Sequence, residues 1–236
     1  MTAAQILEEL RPLGKESYRR TIMRNHGVPE PCFGVPISEL KKIEKRIRKN
    51  YQLALDLFAT GNYDAQYLAG LIADDARMTR ADLRNWAEQA HGGSLAGATV
   101  AWVAAGSPHG WELAREWIDS PQTTVARCGW ATLASLVAIT PDERLDLPAL
   151  RELLQRVRRT IRSAPDLVRV QMNGFLIAVG MYVVPLTDLV RELAAAIGPV
   201  TADPGDNDCG IPYAPDYLDR AAARGPLGRK RKSAKC

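Results

Sequence analysis

The sequence feature that most constrains the fold is an almost unbroken series of segments with helical periodicity, joined by short loops. In these segments apolar residues recur every three or four positions, which places them along one face of an α-helix. No stretch alternates apolar and polar residues over the length of a strand. We therefore predict helices near residues 2–10, 17–26, 38–60, 63–74, 80–90, 94–105, 108–119, 122–139, 147–162, 166–183 and 186–197.

Several of these helices begin or end at residues suited to that position. Thr79 precedes Asp82 by three residues, which is the spacing of a capping box. Gly61 and Gly198 follow apolar stripes and are suited to helix ends. The helix pairs recur about every 30–45 residues, although no repeat is visible as sequence identity. This spacing is close to that of HEAT-type repeats and predicts an all-α solenoid of helix pairs.

The composition changes after Gly198. Residues 199–236 are rich in Pro, Gly and Asp, contain one predicted short helix near 215–224, and end in a basic tail. We therefore predict a helical repeat domain over residues 1–198 and an appended segment over residues 199–236. We expect the tail to be disordered in the free protein, where it either extends a nucleic-acid footprint or only adds solubility. Its candidate DNA-binding residues are Arg229, Lys230, Arg231 and Lys232.

The basic residues matter for function only if they are segregated. Five of them lie in the last eight residues, and without these five the formal net charge falls from +4 to −1. A near-neutral body attracts nucleic acid only where its cations share one side. If the basic helices near residues 19–24, 41–49 and 156–162 line one face, that face would bind phosphates. The candidate DNA-binding residues in these helices are Arg19, Arg20, Arg24, Lys41, Lys42, Lys45, Arg48, Lys49, Arg158, Arg159 and Arg162.

The most basic of these segments is KKIEKRIRKN, residues 41–50, with six basic residues and one acid. Its apolar residues continue a stripe from Leu40 through Ile47 to Phe58, so we predict a single helix over 38–60. The cations occupy the rest of the circumference. Such a helix is either a solvated charged face or a surface that binds polyphosphate.

The titratable residues do not predict a metal site. The four cysteines, Cys32, Cys128, Cys209 and Cys236, are far apart, and the three histidines do not fall at ligand spacing. We therefore expect no metal, no cofactor and a reduced, cytoplasmic chain without a signal peptide. The uncharged window from Val170 to Thr187 contains polar residues and a proline. It predicts a buried helix in place of a membrane span, and we expect no membrane partner.

Four segments of the chain resemble one known family. They are YRRTIMRNHGVPEPCFGVPISELKKIEKRI, YDAQYLAGLIAD, TVAWVAAGSPHGWELAREWIDS and GPLGRKRKSAKC. They are similar to the DNA alkylation repair enzyme family, the AlkD-like proteins built from HEAT-like repeats, and to a subgroup with this basic C-terminus. The resemblance implies a right-handed α-solenoid whose concave basic face clasps double-stranded DNA. It also implies hydrolysis of the N-glycosidic bond of N3- or N7-alkylated purines, as in base excision repair, by a protein that associates with the nucleoid.

The resemblance implies four site positions. Family members use a tryptophan and an aspartate one turn apart on one helix, an arginine on the phosphate side and a second tryptophan further on. The first tryptophan best matches Trp86, and Ala90 stands where the aspartate is expected. The arginine best matches Arg127, and the second tryptophan falls near Leu176. Two of the four positions therefore match, and the unmatched pair includes the catalytic carboxylate.

Two other residues are candidates for the missing chemistry. Glu88 is close to Trp86 in sequence, but two residues correspond to about 200° around a helix, which is the wrong face for a simple exchange. His91 could bind a phosphate or position a water. Trp86 itself either contacts a base or sugar or packs in the core, and Trp130, three residues from Arg127, is a further candidate DNA contact.

Three functions fit these observations. The first is a monofunctional DNA-alkylpurine glycosylase that binds double-stranded, alkylated DNA as a monomer. The second is a non-catalytic relative that recognises damaged, bent or branched DNA through its shape and phosphates, which Ala90 and Leu176 favour. The third is a helical-repeat scaffold that binds another protein.

Overall fold

A computed structural model of the chain describes residues 1–92, 94–202 and 210–235, and these residues form helices and loops without a strand. A sharp turn divides the predicted helix over 38–60, and the other predicted helices are present with small shifts at their ends. The α-helices in chain order are α1 Ala3–Leu10, α2 Glu16–His26, α3 Ile37–Ile47, α4 Tyr51–Ala59, α5 Tyr63–Ile72, α6 Arg80–Gln89, α7 Ala101–Gly106, α8 Gly110–Trp117, α9 Thr123–Ile139, α10 Leu147–Thr160, α11 Asp166–Tyr182, α12 Thr187–Ile197 and α13 Ala214–Ala222.

The helices pack in two rows. The odd row contains α3, α5, α7, α9 and α11. A π-helical turn at Leu95–Val100 leads directly into α7 and packs against α5, and the other neighbours in the row pack against each other directly. The even row contains α6, α8, α10 and α12 and covers one side of the odd row. Ion pairs join the helices of the even row: Arg80 with Glu112, Arg84 with Glu116 and Arg156 with Asp119. This two-row stack of helix pairs is the architecture that the sequence predicts.

The helices of the odd row point in the same direction. The Asn50 N–H donates to the Ile72 carbonyl at 2.8 Å, which places the end of α3 beside the end of α5. At the start of these helices, Ser94 hydrogen-bonds to Tyr63, and Gly97 adjoins Arg127. The row therefore has two edges. We call the edge formed by the helix starts the amino edge and the edge formed by the helix ends the carboxyl edge.

The prediction of one helix over 38–60 is wrong. Helix α3 ends at Ile47, and Arg48 has a φ of 58°, which turns the chain away from the helix axis. Asn50 then caps α4, because its side-chain oxygen accepts from the Leu53 N–H at 3.1 Å. The apolar stripe from Leu40 to Phe58 is real, but it is shared by two helices that pack on a common core.

The basic tail is ordered, which corrects the expectation of disorder. Residues Gly228–Lys235, here called the C-terminal strap, run along the carboxyl edge. The Gly228 N–H donates to Met181 of α11, the Arg231 N–H to Ala138 of α9, and Lys235 Nζ to Ala73 beyond α5, each at 2.8 Å. The last carbonyls of a helix lack partners within it and carry partial negative charge, so donors and cations stabilise them.

The appended segment packs on the repeat stack. Its described part, residues 210–235, includes α13, which contacts α11 and α12 and buries Leu218. Cys209 and Cys236 lie outside the described residues. Within the described part of the chain, no single helix is long and apolar enough to cross a membrane. The sharply bent pair Asp166–Tyr182 and Val184–Ile197 reaches that length and apolar composition only when its two helices are taken together.

Candidate nucleic-acid interface

The amino edge centres on the guanidinium of Arg127, in the second turn of α9. This side chain lies against Gly97 in the π-helical turn. A Cβ on Gly97 would approach Arg127 Nη2 to 3.2 Å and Gln171 Nε2 of α11 to 2.8 Å. The glycine thus leaves the space that the guanidinium and the amide occupy. Two adjacent helices of the odd row, α9 and α11, therefore bring polar groups together beside the π-helical turn.

Arg127 has no acidic partner among the residues that the structure describes. Its Nε is buried without a hydrogen-bond partner there, and burial lowers the pKa of the guanidinium. Arginine nevertheless remains protonated in proteins. Other half-buried arginines are paired, for example Arg19 with Glu30 and Arg169 with Asp166. Burial of a cation without a carboxylate is unfavourable unless an anion reaches it. Arg127 is therefore suited to an anion supplied by a ligand.

Tyr63 and Ser94 fix the start of the π-helical turn. Tyr63, at the first position of α5, is only 8% exposed. Burial raises the pKa of its hydroxyl, and hydrogen bonds from the Ser94 hydroxyl and backbone partly offset this rise. π-Helical turns are rare and are frequent at functional sites. Here the turn brings Gly97 against Arg127.

The Asp64 carboxylate, at this end of the row, already accepts hydrogen bonds from the backbone. Asp64, next to Tyr63, is 1% exposed and accepts hydrogen bonds from the backbone N–H groups of Phe33, Gly34 and Val35. Its two oxygens hold the loop between α2 and α3 against α5. Residues 94–106, which include the turn that faces Arg127, contain no acidic residue.

The basic residues of α2 have different roles. Arg19 donates to the Cys32 carbonyl at 2.9 Å and pairs with Glu16 and Glu30, so it holds the loop after α2. Arg20 and Arg24 are exposed. Helix α2 ends at Gly27, whose carbonyl lies close to Gly92, just before the π-helical turn. Arg20 and Arg24 therefore belong to a helix that ends at the amino edge.

The basic residues of α3 and of the turn after it lie on a segment that ends at the carboxyl edge. Lys42 pairs with Glu39 at 2.8 Å, and Lys49 approaches Asp74 to 3.6 Å. Lys41 is half-buried. Lys45 and Arg48 are exposed and have no ion pair among the described residues; both border the C-terminal strap.

The third basic helix is in the other row. Helix α10 packs against α12, and its exposed Arg158 and Arg159 lie on the even row. Just after it, Arg162 donates to the Ile197 carbonyl at 2.9 Å and so caps α12. The three basic helices therefore do not share one face, so the condition for a single phosphate-binding face over all three is not met. A charge run on an amphipathic helix does not reveal which row of the stack the helix joins.

The strap divides its cations between structure and surface. Lys230 Nζ donates to the Val137 carbonyl at 2.9 Å and pairs with Asp142 at 2.7 Å. Lys235 pairs with Asp75. Arg229, Arg231 and Lys232 are exposed along the carboxyl edge.

Comparison with known proteins decides the family. The model of the DNA alkylation repair enzyme family matches residues 6–187. The chain belongs to the DNA alkylation repair enzyme family. Two uncharacterised family relatives, from Listeria innocua and Listeria monocytogenes, are each 30% identical over 209 residues, which is 86% of this chain and 90% of theirs.

A solved structure extends this family assignment to the fold. It is described as "a new family of proteins related to the HEAT-like repeat DNA glycosylases with affinity for branched DNA structures". It is 33% identical to this chain and superposes with a TM-score of 0.91 over 100% of both chains. The HEAT-like fold predicted from the sequence is therefore confirmed.

Trp86, which best matches the family's first tryptophan, packs in the core. This residue is 1% exposed and its ring stacks on Phe58 at 4.1 Å, so the interpretation as core packing is the one that the structure supports. Its helix, α6, belongs to the even row and packs against α9 and the π-helical turn. Ala90 is also fully buried, and Glu88 is exposed on the even row beside Glu116.

His91 and the remaining aromatic position were also assigned from sequence. His91 is exposed, two residues after the end of α6. Trp130 is 1% exposed and packs against Phe175 with ring centroids 5.4 Å apart, so it is a core residue and not a surface for DNA. Leu176, on the same helix as Phe175, is equally buried. Sequence reasoning missed Gly97 and Gln171. The run of small residues before α7 is a signal for Gly97, and no sequence pattern points to Gln171.

Proposed function

We propose that this protein binds DNA, and branched DNA in preference to linear duplex, without hydrolysing the N-glycosidic bond. The single observation that carries the proposal is Arg127: a half-buried guanidinium at the amino edge that has no carboxylate partner in the described part of the chain. A phosphate group matches such a site in charge and in hydrogen-bonding geometry.

The surroundings of Arg127 favour a phosphate further. The parallel helices of the odd row direct their positive dipole ends towards the amino edge, where negative charge is stabilised. Gln171 offers an amide donor beside the guanidinium. Arg20 and Arg24 add exposed cations on α2. These groups can contact a DNA backbone irrespective of sequence, which suits recognition by shape.

The proposal of binding without base excision rests on the lack of a suitable carboxylate. An oxocarbenium-like transition state needs a negative charge beside the sugar. Ala90 stands where the family resemblance places the aspartate. The π-helical turn that adjoins Arg127 and the helix α7 after it offer no acid either, since residues 94–106 lack one. Asp64 is buried and committed to three backbone N–H groups. The preference for branched DNA is proposed from the solved relative, which is described as having affinity for it.

The experiment measures binding and base release with the same protein. Fluorescence anisotropy gives the Kd for a four-way junction and for a linear duplex of equal base-pair content, over a series of salt concentrations. We expect tighter binding to the junction and a log Kd that rises with log salt. We expect Arg127→Met to weaken binding to both DNAs about tenfold or more, and Arg151→Met, which removes an exposed arginine from α10, to leave both unchanged.

The second arm tests catalysis. The protein is incubated with a duplex that contains a single N7-methylguanine, and abasic sites are counted against a sample without protein. We expect equal counts. Base release above that background overturns the non-catalytic part of the proposal. Absence of salt-dependent binding to either DNA overturns the DNA-binding part and favours the protein-binding scaffold.

A further inference from the structure

The carboxyl edge contains a groove that the functional proposal does not use. It has a volume of about 590 Å³ and lies between the end of α3 and the C-terminal strap. Two segments at opposite ends of the sequence therefore form its walls. Its charged lining residues are Glu44, Lys45, Arg48, Lys49, Asp75, Lys232 and Lys235.

The unpaired charges of this groove are mostly positive, since Glu44 is the one acid of its lining without an ion pair among the described residues. Lys45, Arg48 and Lys232 are exposed, and none of them pairs with an acid among the described residues. Asp75 is paired with Lys235 at 2.8 Å, and Asp74 lies 3.6 Å from Lys49. The lining thus holds five cations and two acids, one of which is neutralised. This excess favours a polyanion over a protein of mixed charge.

The strap holds Lys232 in place. On one side, Lys230 pairs with Asp142 and the Arg231 N–H donates to Ala138. On the other side, Ala234 is buried in the core and Lys235 is tied to Asp75 and to the carbonyl of Ala73. Because the strap is already ordered in the free protein, a ligand bound there does not bear the entropic cost of ordering it.

The groove is separated from Arg127 by most of the length of α9, because the two lie at opposite edges of the odd row. Arg127 and Ala138 lie at opposite ends of α9, eleven residues apart. At a rise of 1.5 Å per residue this is about 16 Å along the helix axis. A DNA backbone held at Arg127 and one held in the groove therefore contact different edges of the protein.

We propose that the carboxyl-edge groove is a second DNA-phosphate site, which holds a different arm of a branched DNA from the arm held at Arg127. Two sites on opposite edges give a branched molecule two points of attachment, and the second attachment is intramolecular once the first has formed. A linear duplex that occupies the amino edge engages only one. The inference rests on the proposed DNA-binding function and deepens it, since it assigns the preference for branched DNA to particular residues.

The test is a double variant, Lys45→Glu with Lys232→Glu, which reverses one free cation on each wall of the groove. The matched control is Arg115→Glu with Arg151→Glu, which makes the same charge change on α8 and α10 of the even row. All four residues are exposed, so thermal melting should be unchanged in both variants. Kd is measured by anisotropy for the junction and the linear duplex, together with the salt dependence.

We expect the groove variant to weaken junction binding about tenfold and duplex binding less than about threefold. We also expect its log-log salt slope for the junction to become shallower by about two, one for each phosphate that the variant no longer neutralises. The even-row control should bind both DNAs as the unaltered protein does.

Two outcomes overturn the inference. Unchanged junction binding in the groove variant means that the basic edge is only a solvated surface whose cations stabilise the carbonyl groups at the helix ends. Equal weakening for junction and duplex means that both edges belong to one duplex footprint. A failure of the function itself has another signature, because the unaltered protein would then bind neither DNA in a salt-dependent way.

Discussion

Arg127 and Gly97 are complementary in shape: the guanidinium occupies the space that a side chain at Gly97 would fill. We predict that Gly97→Ala weakens DNA binding about threefold or more, because the new methyl group displaces the ends of the Arg127 and Gln171 side chains. Both ends are flexible, so the melting temperature should change little. Anisotropy with the four-way junction measures the effect.

Gly174→Ala is the matched control for that substitution. Gly174 is also on a helix of the odd row, but a Cβ there would meet only Gln171 Oε1, at 3.9 Å. DNA binding should be unaffected. Equal losses in the two variants would show that the space beside Arg127 has no special role.

Removal of the Arg127 charge should raise the stability of the protein and weaken its binding to DNA. Arg127→Met replaces a half-buried cation, which has no acidic partner among the described residues, by an apolar chain of similar length, so we predict that the free energy of unfolding rises by about 1 kcal/mol. For a chain of this size the melting temperature would rise by about 2–4 °C. DNA binding should fall at the same time. A loss of both stability and binding would indicate that the arginine is a structural residue.

The capping box at Thr79 predicts that the protein loses stability at low pH. Burial alone would raise the pKa of Asp82, but hydrogen bonds from Thr79 and Tyr51 outweigh it and hold the pKa below the ordinary value of 3.8. The folded state therefore binds the proton less tightly than the unfolded state does. The carboxylate's contribution is present above pH 3.8 and is lost as the pH falls through the lowered pKa.

Asp82→Ala should accordingly cost about 1 kcal/mol of unfolding free energy at neutral pH. Denaturant unfolding at a series of pH values should show the difference from the unaltered protein shrinking below about pH 4. Asp56→Ala, at an exposed position of α4, is the control and should cost little at any pH. A difference that does not depend on pH would contradict the role of the charge.

The contacts of the strap predict different effects on stability for Lys235 and Lys232. The side chains of Lys235 and Asp75 are 15% and 18% exposed, and Lys235 also donates to the carbonyl of Ala73. Lys235→Ala should therefore lower the free energy of unfolding by about 2 kcal/mol, since it leaves a largely buried carboxylate without its cation. Thermal or denaturant unfolding measures the loss. Lys232→Ala, three residues earlier and exposed, should change stability by less than about 0.5 kcal/mol.

The sequence predicted the helices better than their arrangement. Local sequence signals are sufficient to predict the capping box at Thr79 and the helix end at Gly198, which has a φ of 78°. The break after Ile47 was missed because a positive φ falls on Arg48, a residue that rarely adopts it. The apolar stripe continued across the break, so periodicity alone could not reveal it.

The candidate site was predicted only in part. Arg127 was found through the family resemblance, and Lys45, Arg48 and Lys232 through local charge. The division of the basic residues between two edges and a second row depends on tertiary packing, which charge runs do not encode. The ordered strap was missed because its partners are helix-end carbonyls, and backbone groups are present at every position of a sequence.

The strap also changes how the repeat stack holds together. In an open array each repeat contacts only its neighbours, so either end can fray independently. Here Lys235 reaches the carbonyl of Leu71, 164 residues earlier, while Gly228 is bound to α11. The end of the chain thus fastens the second core to the first. Loss of structure at either end must release this closure, so the array should unfold as one cooperative unit.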